Sequence, residues 1–544
     1  MTAAPSPNAW PARRLVRALA LAGLVALAPG ARASVTDNLV TSPTAMAMGN
    51  AVTADPPGIE SIHFNPAGLA RLTGSQRIDT VFMAAIRNPN HFVSAPDIDI
   101  GGFKDDPING KSSGPVRQAL EIPFYGIPKA RLPAVLVPGL GMSYNAPGSR
   151  WTFGTMAYLS AAMSIDRTKD PDDPARFDGR LVQLQRLVYL SPAAAYKVSD
   201  TLKVGISVPI AYSAFAINTD FRAPNKLLGT VGQLQKAVCP NGNGTVIDTL
   251  TFGLCGGGPE GMINPFKRAA NIDFDLRASF DPTVNLGVLW EPKTWFALGL
   301  VYQGGTRTTY TGSYVFHSDP MLRSFVRGLN SSLLGPIVGA VTGMPSDIPE
   351  YQTGNMTARI PFPWRVQAGM KLMLTDYVQL NADVSYADWS QWNELTFQFD
   401  RSVKLLEMAR LFGYANSSQA TFKMGFRSVV NYSFGAQFNL TRKLALRLGY
   451  EPRKSSIPAD KMSLLAPLPD TKLRSVGLRY RFDDGGEVNL TGSYMKGTYD
   501  IPARSDCNLN CDNFFNLIYN PYAATNVSGS LIVRYAGFSY TRPF

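Results

Sequence analysis

The side chains that could carry chemistry in this 544-residue chain are few. Its three histidines, His63, His91 and His317, lie far apart, and no Ser-His-Asp relay assembles around any of them in the sequence. Cys255-Gly256-Gly257-Gly258 is rich in glycine but lacks the lysine of a phosphate-binding loop. Asp97, Asp99, Asp105 and Asp106 offer oxygen ligands for calcium, yet their spacing and the absence of a closing Glu do not match an EF-hand, which favours a solvated loop. The four cysteines fall as two local pairs, Cys239 with Cys255 and Cys507 with Cys511, without the His or second Cys-x-x-Cys that zinc needs. Two loop-closing disulfides are expected instead, if the chain is exported. No enzyme, cofactor or metal site is expected.

Export is written at the N-terminus. Arg13, Arg14 and Arg17 lead into an apolar run from Leu15 to Ala28, and Ala31-Arg32-Ala33 forms a small-x-small cleavage signal before Ser34. This order marks residues 1–33 as a secretory signal peptide, too short to cross a bilayer. Beyond it no stretch of 18 uncharged apolar residues occurs, so no transmembrane helix is expected. Removing the leader's four Arg from 52 basic residues leaves 48 against 40 acidic ones, a balance of +8. The basic residues are scattered and never form a run of five, which argues against nucleic acid as a partner. Only 17% of the residues are charged, against roughly 25% in soluble domains. Fifty-one Tyr and Phe residues exclude a disordered chain.

The elements that would position any site read as strands. Val378, Leu380, Ala382, Val384 and Tyr386 alternate with Gln379, Asn381, Asp383 and Ser385. The same period of two runs from Val430 to Leu440, from Leu444 to Tyr450, from Val476 to Phe482 and from Val488 to Tyr494. One apolar and one polar face marks a half-exposed strand. Runs of ten or more residues with aromatics near their ends suit a band facing lipid. Short gaps such as Thr441-Arg442-Lys443 and Asp483 to Gly486 alternate with long ones near 221–271, 317–357, 400–425 and 499–527. About fourteen strands fit between Gln76 and Arg542. Short turns at one end and long loops at the other are the pattern of an outer-membrane barrel, and only closure satisfies every backbone group in lipid without helices. An all-β, transmembrane antiparallel β-barrel in the outer membrane of a Gram-negative bacterium is therefore expected, with outer-membrane lipid around it and barrel-assembly machinery as a partner in biogenesis. A monomer is expected.

Two long loops carry helical period. Leu322, Phe325, Val326, Leu329, Leu333, Ile337, Val338 and Val341 recur at three and four residues, as do Leu405, Met408, Ala409 and Phe412. Such faces pack on a barrel rim, form a capture surface for a greasy ligand, or do both.

Before the first strand stand Gly49-Asn50-Ala51 and Ile62-His63-Phe64-Asn65-Pro66-Ala67-Gly68. Later come Phe362-Pro363, Asp376 to Leu395, Gly425-Phe426-Arg427, Leu446 to Tyr450, Ile457-Pro458 and Leu468-Pro469-Asp470. In this order the set resembles the FadL/TodX outer-membrane transporters over nearly the whole chain past the leader. The resemblance implies a barrel of fourteen strands, residues 76–544, closed by an N-terminal plug, residues 34–75, that carries Asn65, Pro66 and Ala67. It implies passive uptake of hydrophobic molecules, most readily long-chain fatty acids, with aromatic hydrocarbons as the alternative. Ligand is expected first in an apolar groove among outer loops, where Phe325, Leu329 and Leu333 lie. It then passes to an inner site that Arg427 and the new N-terminus at Ser34 could reach, and leaves sideways at a kink of the third strand. Ser160-Ala161-Ala162 stands where the family kinks at Gly, and Ala follows a kink less readily. The strand Val204 to Asn218 lacks the basic residue expected of a fatty-acid carrier. Asn65 and Pro66 make a rigid turn that wedges the plug or serves as its gate. A barrel with another task, a lipid hydrolase or an adhesin or receptor, is the reading from a different class.

Overall fold

Alternating residues close this chain on itself. The computed structural model describes residues 41–122, 127–239, 246, 248, 253–408, 416–512 and 520–544. Its strands run around the wall in chain order: β1 (Gly74–Arg87, continued as Asn90–Ser94), β2 (Val135–Asn145), β3 (Trp151–Asp166), β4 (Leu181–Leu190 and Ala193–Lys197), β5 (Leu202–Ser207 and Ile210–Phe221), β6 (Ala270–Pro282 and Asn285–Lys293) and β7 (Phe296–Gln303 and Thr309–Ser318). The circuit continues through β8 (Tyr351–Arg359 and Arg365–Met373), β9 (Val378–Ala387 and Glu394–Phe399), β10 (Gln419–Lys423 and Val429–Asn439), β11 (Leu444–Arg453), β12 (Thr471–Arg481), β13 (Glu487–Ile501) and β14 (Thr525–Pro543). Every neighbouring pair is antiparallel, and β1 closes on β14 from Gln76 opposite Pro543 to Arg87 opposite Ile532. The result is a closed barrel of fourteen strands, all-β as expected.

Alternation sets the two faces. On β9 the polar Gln379, Asn381, Asp383 and Ser385 are buried, while Leu380, Val384 and Tyr386 are exposed. The same inversion holds for Val476, Leu478, Leu490 and Phe538 against Ser475, Asn489, Thr491 and Ser539. Apolar outside and polar inside is the arrangement that lipid requires. At the end with short turns, Trp151 packs on Tyr196 and Tyr480 on Phe482, as an interfacial girdle.

The strands from β4 to β10 are interrupted midway. Ser191-Pro192, Val208-Pro209, Gly304-Gly305 and Pro361-Phe362-Pro363 stand at four of these breaks. Proline donates nothing to a ladder, so these residues cut it. Above the breaks the strand segments form a second sheet running from the upper part of β3 to Gln419–Lys423. The first long loop carries a hairpin, Gln118–Ile122 with Ile127–Leu132, that the sequence pattern did not reveal. The loop helices run Lys226–Val238, Pro320–Asn330, Gly335–Thr342 and Lys404–Met408. Ala409 and Phe412, expected to extend the last of these, lie outside the described residues, as does the signal segment 1–33.

Candidate functional site

The site is built on residues 41–72, which cross the lumen against inward-facing side chains. Ser42 caps a short helix, Pro43–Ala47, by accepting from the Ala45 N–H at 3.0 Å. Gly49 and Asn50 then take positive φ of 61° and 64°, turning the chain against the wall. Asn65 caps the helical turn Pro66–Arg71, accepting from the Ala67 N–H at 3.2 Å. Its amide donates to the Thr53 carbonyl at 2.8 Å and to Val288 on β6 at 3.0 Å, so one side chain joins segment to wall. The wall answers from several strands. Asp383 accepts the Thr53 N–H at 2.8 Å, Asn381 donates to the Ala51 carbonyl at 2.7 Å, and Ser207 donates to the Ile62 carbonyl at 2.8 Å. At the short-turn end, Arg71 bridges Asp55 (2.9 Å) and Glu291 (2.7 Å), and Lys371 also reaches Asp55 at 2.9 Å. Burial would raise the Asp55 carboxyl, but the Lys371 and Arg71 charges hold it far below the usual range.

Close contact is made possible by missing side chains. Three cross-strand pairs of glycine face the segment: Gly205 with Gly287, Gly299 with Gly369, and Gly435 with Gly449. A Cβ on Gly287 would stand 2.1 Å from Asn65 Oδ1, one on Gly299 2.1 Å from the Thr53 oxygen, and one on Gly449 2.1 Å from the Gly49 nitrogen. No such atom fits. Two ionisable groups of the segment are enclosed in this contact. Burial pushes the Glu60 carboxyl up to about 8. Burial, reinforced by the nearby Arg365 and Arg186 charges, brings the His63 imidazole down to about 3 and keeps it neutral.

Directly above His63 lies a cavity of about 70 Å³. Tyr158 and Ser160 of β3, Arg186 of β4 and Arg365 of β8 line it, with residues from the strand breaks such as Pro209, Thr283 and Phe362. His63 Nδ1 and the Tyr158 hydroxyl are 3.1 Å apart. Arg186 is held by Asp281 at 3.1 Å, and Arg365 donates to Ser385 at 3.3 Å. The described lining therefore contains two guanidinium groups and no carboxylate. A volume of this size admits a polar head group but not a long chain. Beyond it the inward-facing Leu159, Phe215, Phe274, Tyr314, Trp389 and Phe397 belong to one packed apolar cluster, which also includes Phe362 of the cavity lining. Leu405 packs against this core and also against Leu322, Val326 and Phe325 of the loop helices, so the apolar lining extends from outer loops to arginines.

The third strand parts from the second at this level. β2 and β3 pair from Leu140 opposite Ala157 to Tyr144 opposite Phe153; above that β3 leaves β2, its ladder running to β4 with one further bridge from Asp166 to Arg117. The register slips between Leu159 and Ala161, so Ser160 is the extra residue of a bulge, which bends a strand without glycine. Ala162 follows on the resumed ladder opposite Gln185. The hairpin strand Gln118–Ile122 occupies the space that the parted strands leave. Ala119 N–H donates to Ser164 Oγ at 2.7 Å, Glu121 N–H to Gln185 Oε1 at 3.0 Å, and Gln185 Nε2 back to the Glu121 carbonyl at 2.6 Å.

The other residues singled out in the sequence are dispersed. Arg427, expected at the inner site, is exposed, with buried Phe426 beside it and its own N–H bonded to Ser456, and it is not part of the cavity lining above His63. The cations that line that cavity are Arg186 and Arg365. No local pattern marks them: Arg186 stands on β4, beside the strand 204–218 that lacks a cation, and Arg365 stands on β8, 179 positions away in sequence. Ser34 lies outside the described residues. Phe325 and Leu329 are half-buried, Leu329 lining an apolar pocket of about 150 Å³, while Leu333 is 69% exposed outside that lining. Cys239 is bonded to Cys255 with Cα atoms 5.4 Å apart, and Cys507 to Cys511 at 4.6 Å. Asp106, weighed for calcium, is instead in a buried ion pair with Arg222 at 2.8 Å. No group of three or more metal-ligating side chains occurs among the described residues.

A family model described as outer membrane protein transport protein (OMPP1/FadL/TodX) matches residues 22–526. The chain is 22% identical over 402 residues to a long-chain fatty acid transport protein of Escherichia coli O6:H1, covering 74% of this chain and 75% of that one. Among solved structures, a Pseudomonas aeruginosa FadL homologue superposes with a TM-score of 0.63 at 17% identity, covering 95% of this chain and all of that one. The Ralstonia pickettii toluene transporter TbuX gives 0.54 at 14% identity, covering 92% of this chain and 98% of its own. The P. putida toluene transporter TodX gives 0.55 at 14%, covering 92% and 97%.

Proposed function

From the premise that the chain belongs to the OMPP1/FadL/TodX family of outer-membrane transport proteins, we propose that the hydrophobic compound it takes up is a long-chain fatty acid. The observation that carries this reading is that two guanidinium groups, Arg365 and the Asp281-held Arg186, line one cavity beside an apolar cluster. An acyl chain gains roughly 0.8 kcal/mol per buried CH₂, which draws it from dilute solution towards those apolar walls. A neutral aromatic would gain from the same walls but has nothing to offer two arginines. A carboxylate reaching the cavity accepts charge-assisted hydrogen bonds worth about 1.5–3 kcal/mol. Neutral His63 beneath it adds no competing charge.

The segment 41–72 acts as the plug in this reading, since its glycine-lined seat leaves no room for through-passage. The ligand departs sideways between β2 and β3, where the ladder ends and the Gln118–Ile122 strand fills the gap. The relatives' names divide between fatty acid and toluene, which leaves aromatic hydrocarbon as the alternative substrate. Uptake of labelled oleate and labelled toluene in a host lacking its own transporter separates the two. Arg365→Gln is expected to lower oleate uptake about ten-fold while sparing toluene. Equal loss of both would reject the carboxylate role, and toluene uptake without oleate uptake by the unaltered protein would favour the alternative.

A further inference from the structure

Outside the lumen, the arc from β11 to β14 and on to β1 carries a feature that uptake does not use. Register aligns outward-facing residues of these strands into ranks. One rank runs Tyr450, Arg474, Tyr494, Arg534, and the next above it runs Pro452, Lys472, Lys496, Ile532, Arg87. Lys454 stands just beyond. Below these ranks the same face is apolar, through Val476, Leu478, Leu490 and Phe538, down to Tyr480 and Tyr540.

Position fixes the environment. Six residues separate Arg474 from Tyr480, about 20 Å along a strand. The ranks with Tyr450 and Tyr494 thus lie at the outer interface of a lipid band about 25 Å tall, where head groups begin. All six cations, Arg87, Lys454, Lys472, Arg474, Lys496 and Arg534, are exposed. Lys454 pairs with Asp470 at 2.6 Å, and the other five make no ion pair among the described residues. Lys472 and Lys496 stand directly opposite one another, and Arg474 and Arg534 flank Tyr494. Like charges directly opposite destabilise a sheet, the more so beside hydrocarbon where screening is weak. An anion seated between them reverses that cost. A groove of about 350 Å³ opens there, lined by Lys472, Arg474, Tyr494 and Lys496, and by Asp470, whose charge Lys454 answers. On the opposite arc, β7 and β8 present outward the neutral Thr309, Thr311, Ser313, Thr353, Asn355 and Thr357, with Arg359 opposite Thr309 and no lysine or arginine facing it across that pair.

We propose that this basic double rank binds the phosphorylated head group of an outer-leaflet glycolipid, lipid A, whose acyl chains lie along the apolar face below. A phosphate monoester brings close to two negative charges and three acceptor oxygens, which two opposed lysines and a flanking arginine can share. The site anchors the protein's outer rim in the leaflet and is separate from the lumen.

The test uses the full-length protein in non-ionic detergent, with bisphosphorylated lipid A titrated and followed by native mass spectrometry. The unaltered protein is expected to hold lipid A about ten-fold or more tightly than the triple variant Lys472→Gln, Arg474→Gln, Lys496→Gln. Arg359→Gln on the opposite arc is expected to match the unaltered protein. Dephosphorylated lipid A is expected to bind the unaltered protein as weakly as lipid A binds the triple variant. Retained affinity in the triple variant, or equal binding of the dephosphorylated lipid, overturns the proposal. Displacement by inorganic phosphate at the lipid's own concentration overturns the lipid assignment. Heat-modifiable gel mobility reports that each variant is a folded barrel. Should the triple variant fail that check, Lys496→Gln alone is read in the same way.

Discussion

One arc of the wall, β11 to β14, runs as long unbroken strands, and the other, β4 to β10, is cut midway in every strand. The unbroken arc alternates cleanly, so its outer face meets lipid and head groups over its full height. The cut arc gives up continuity, and what it gains is behind it. Pro209, Thr283, Gly304, Thr306, Phe362 and Pro363 all come from the breaks, and all line the cavity that holds Arg186 and Arg365. A regular strand presents only every second residue inward and spaces its side chains evenly. Breaking the ladder turns backbone and ring inward at one level and opens a chamber that regular pleating would fill. The comparison teaches that the lumen's binding capacity comes from the defects in its wall, while its seat for the segment comes from residues without side chains.

The largest test of that contrast is steric. Gly299→Val would drive side-chain atoms into the Thr53 carbonyl, and Gly287→Val into Asn65. Both are expected to unseat residues 41–72, exposing them to protease and raising ion conductance in planar bilayers. Gly492→Val, on the unbroken arc with nothing within 4 Å, is expected to leave both readouts unchanged. Unaltered protection in the first two variants would refute the seat.

A second test holds the gap between β2 and β3 shut. Pairing Ala119→Cys with Ser164→Cys should tether the hairpin to β3 and cut oleate uptake about ten-fold or more, if charge-assisted capture then leads nowhere. Reductant should restore uptake in the tethered protein and leave the unaltered one as it was. Full uptake with the tether intact would move the exit elsewhere.

The smallest expected effect is in pH. Glu60, raised to about 8 from an ordinary 4.5, takes up a proton on docking, so its contribution to docking is full below 4.5 and is lost as pH climbs towards 8. His63, lowered from 6.5 to about 3, gives the opposite slope, but only below 6.5. Between pH 6.5 and 8 the Glu60 slope stands alone, at most about ten-fold in the docked ratio per pH unit. Hydrogen exchange of residues 44–69 should follow that slope and become flat in Glu60→Gln. An unchanged slope in the variant would assign it to another group.

These two arcs were not equally legible in the sequence. Leu444 to Tyr450 and Val476 to Phe482 announced their strands, because a lipid-facing strand must alternate and nothing interrupts it there. The breaks were hidden: Pro209 or Gly304-Gly305 reads as the end of one strand as readily as a cut within it, and only the ladder on either side decides. The hairpin Gln118–Leu132 was missed for the same reason, its short strands carrying no period of their own. The helical period from Leu322 to Ile337 was sound, although Ser331 and Ser332 divide it into two helices. Asn65 could be read as a turn former, but not as the residue that ties Thr53 to Val288. Glycine pairs are illegible in one dimension. Gly205 and Gly287 lie 82 positions apart, and nothing in either neighbourhood names the other before the register is known.

The seam between β1 and β14 has a consequence for timing. Residues 41–72 join β1 through only Leu72 and Thr73, and the first and last strands of the chain are the ones that zip together. Once that seam is bonded over twelve residue pairs, a folded segment held by the opposed glycines has no side entrance wide enough to admit it. The segment must be lying in the half-made cylinder before the final strand arrives, like a ship laid in its bottle before the glass is sealed. Its own synthesis ahead of β1 provides that head start, and once β14 meets β1 the segment can leave or return only through an open end of the cylinder.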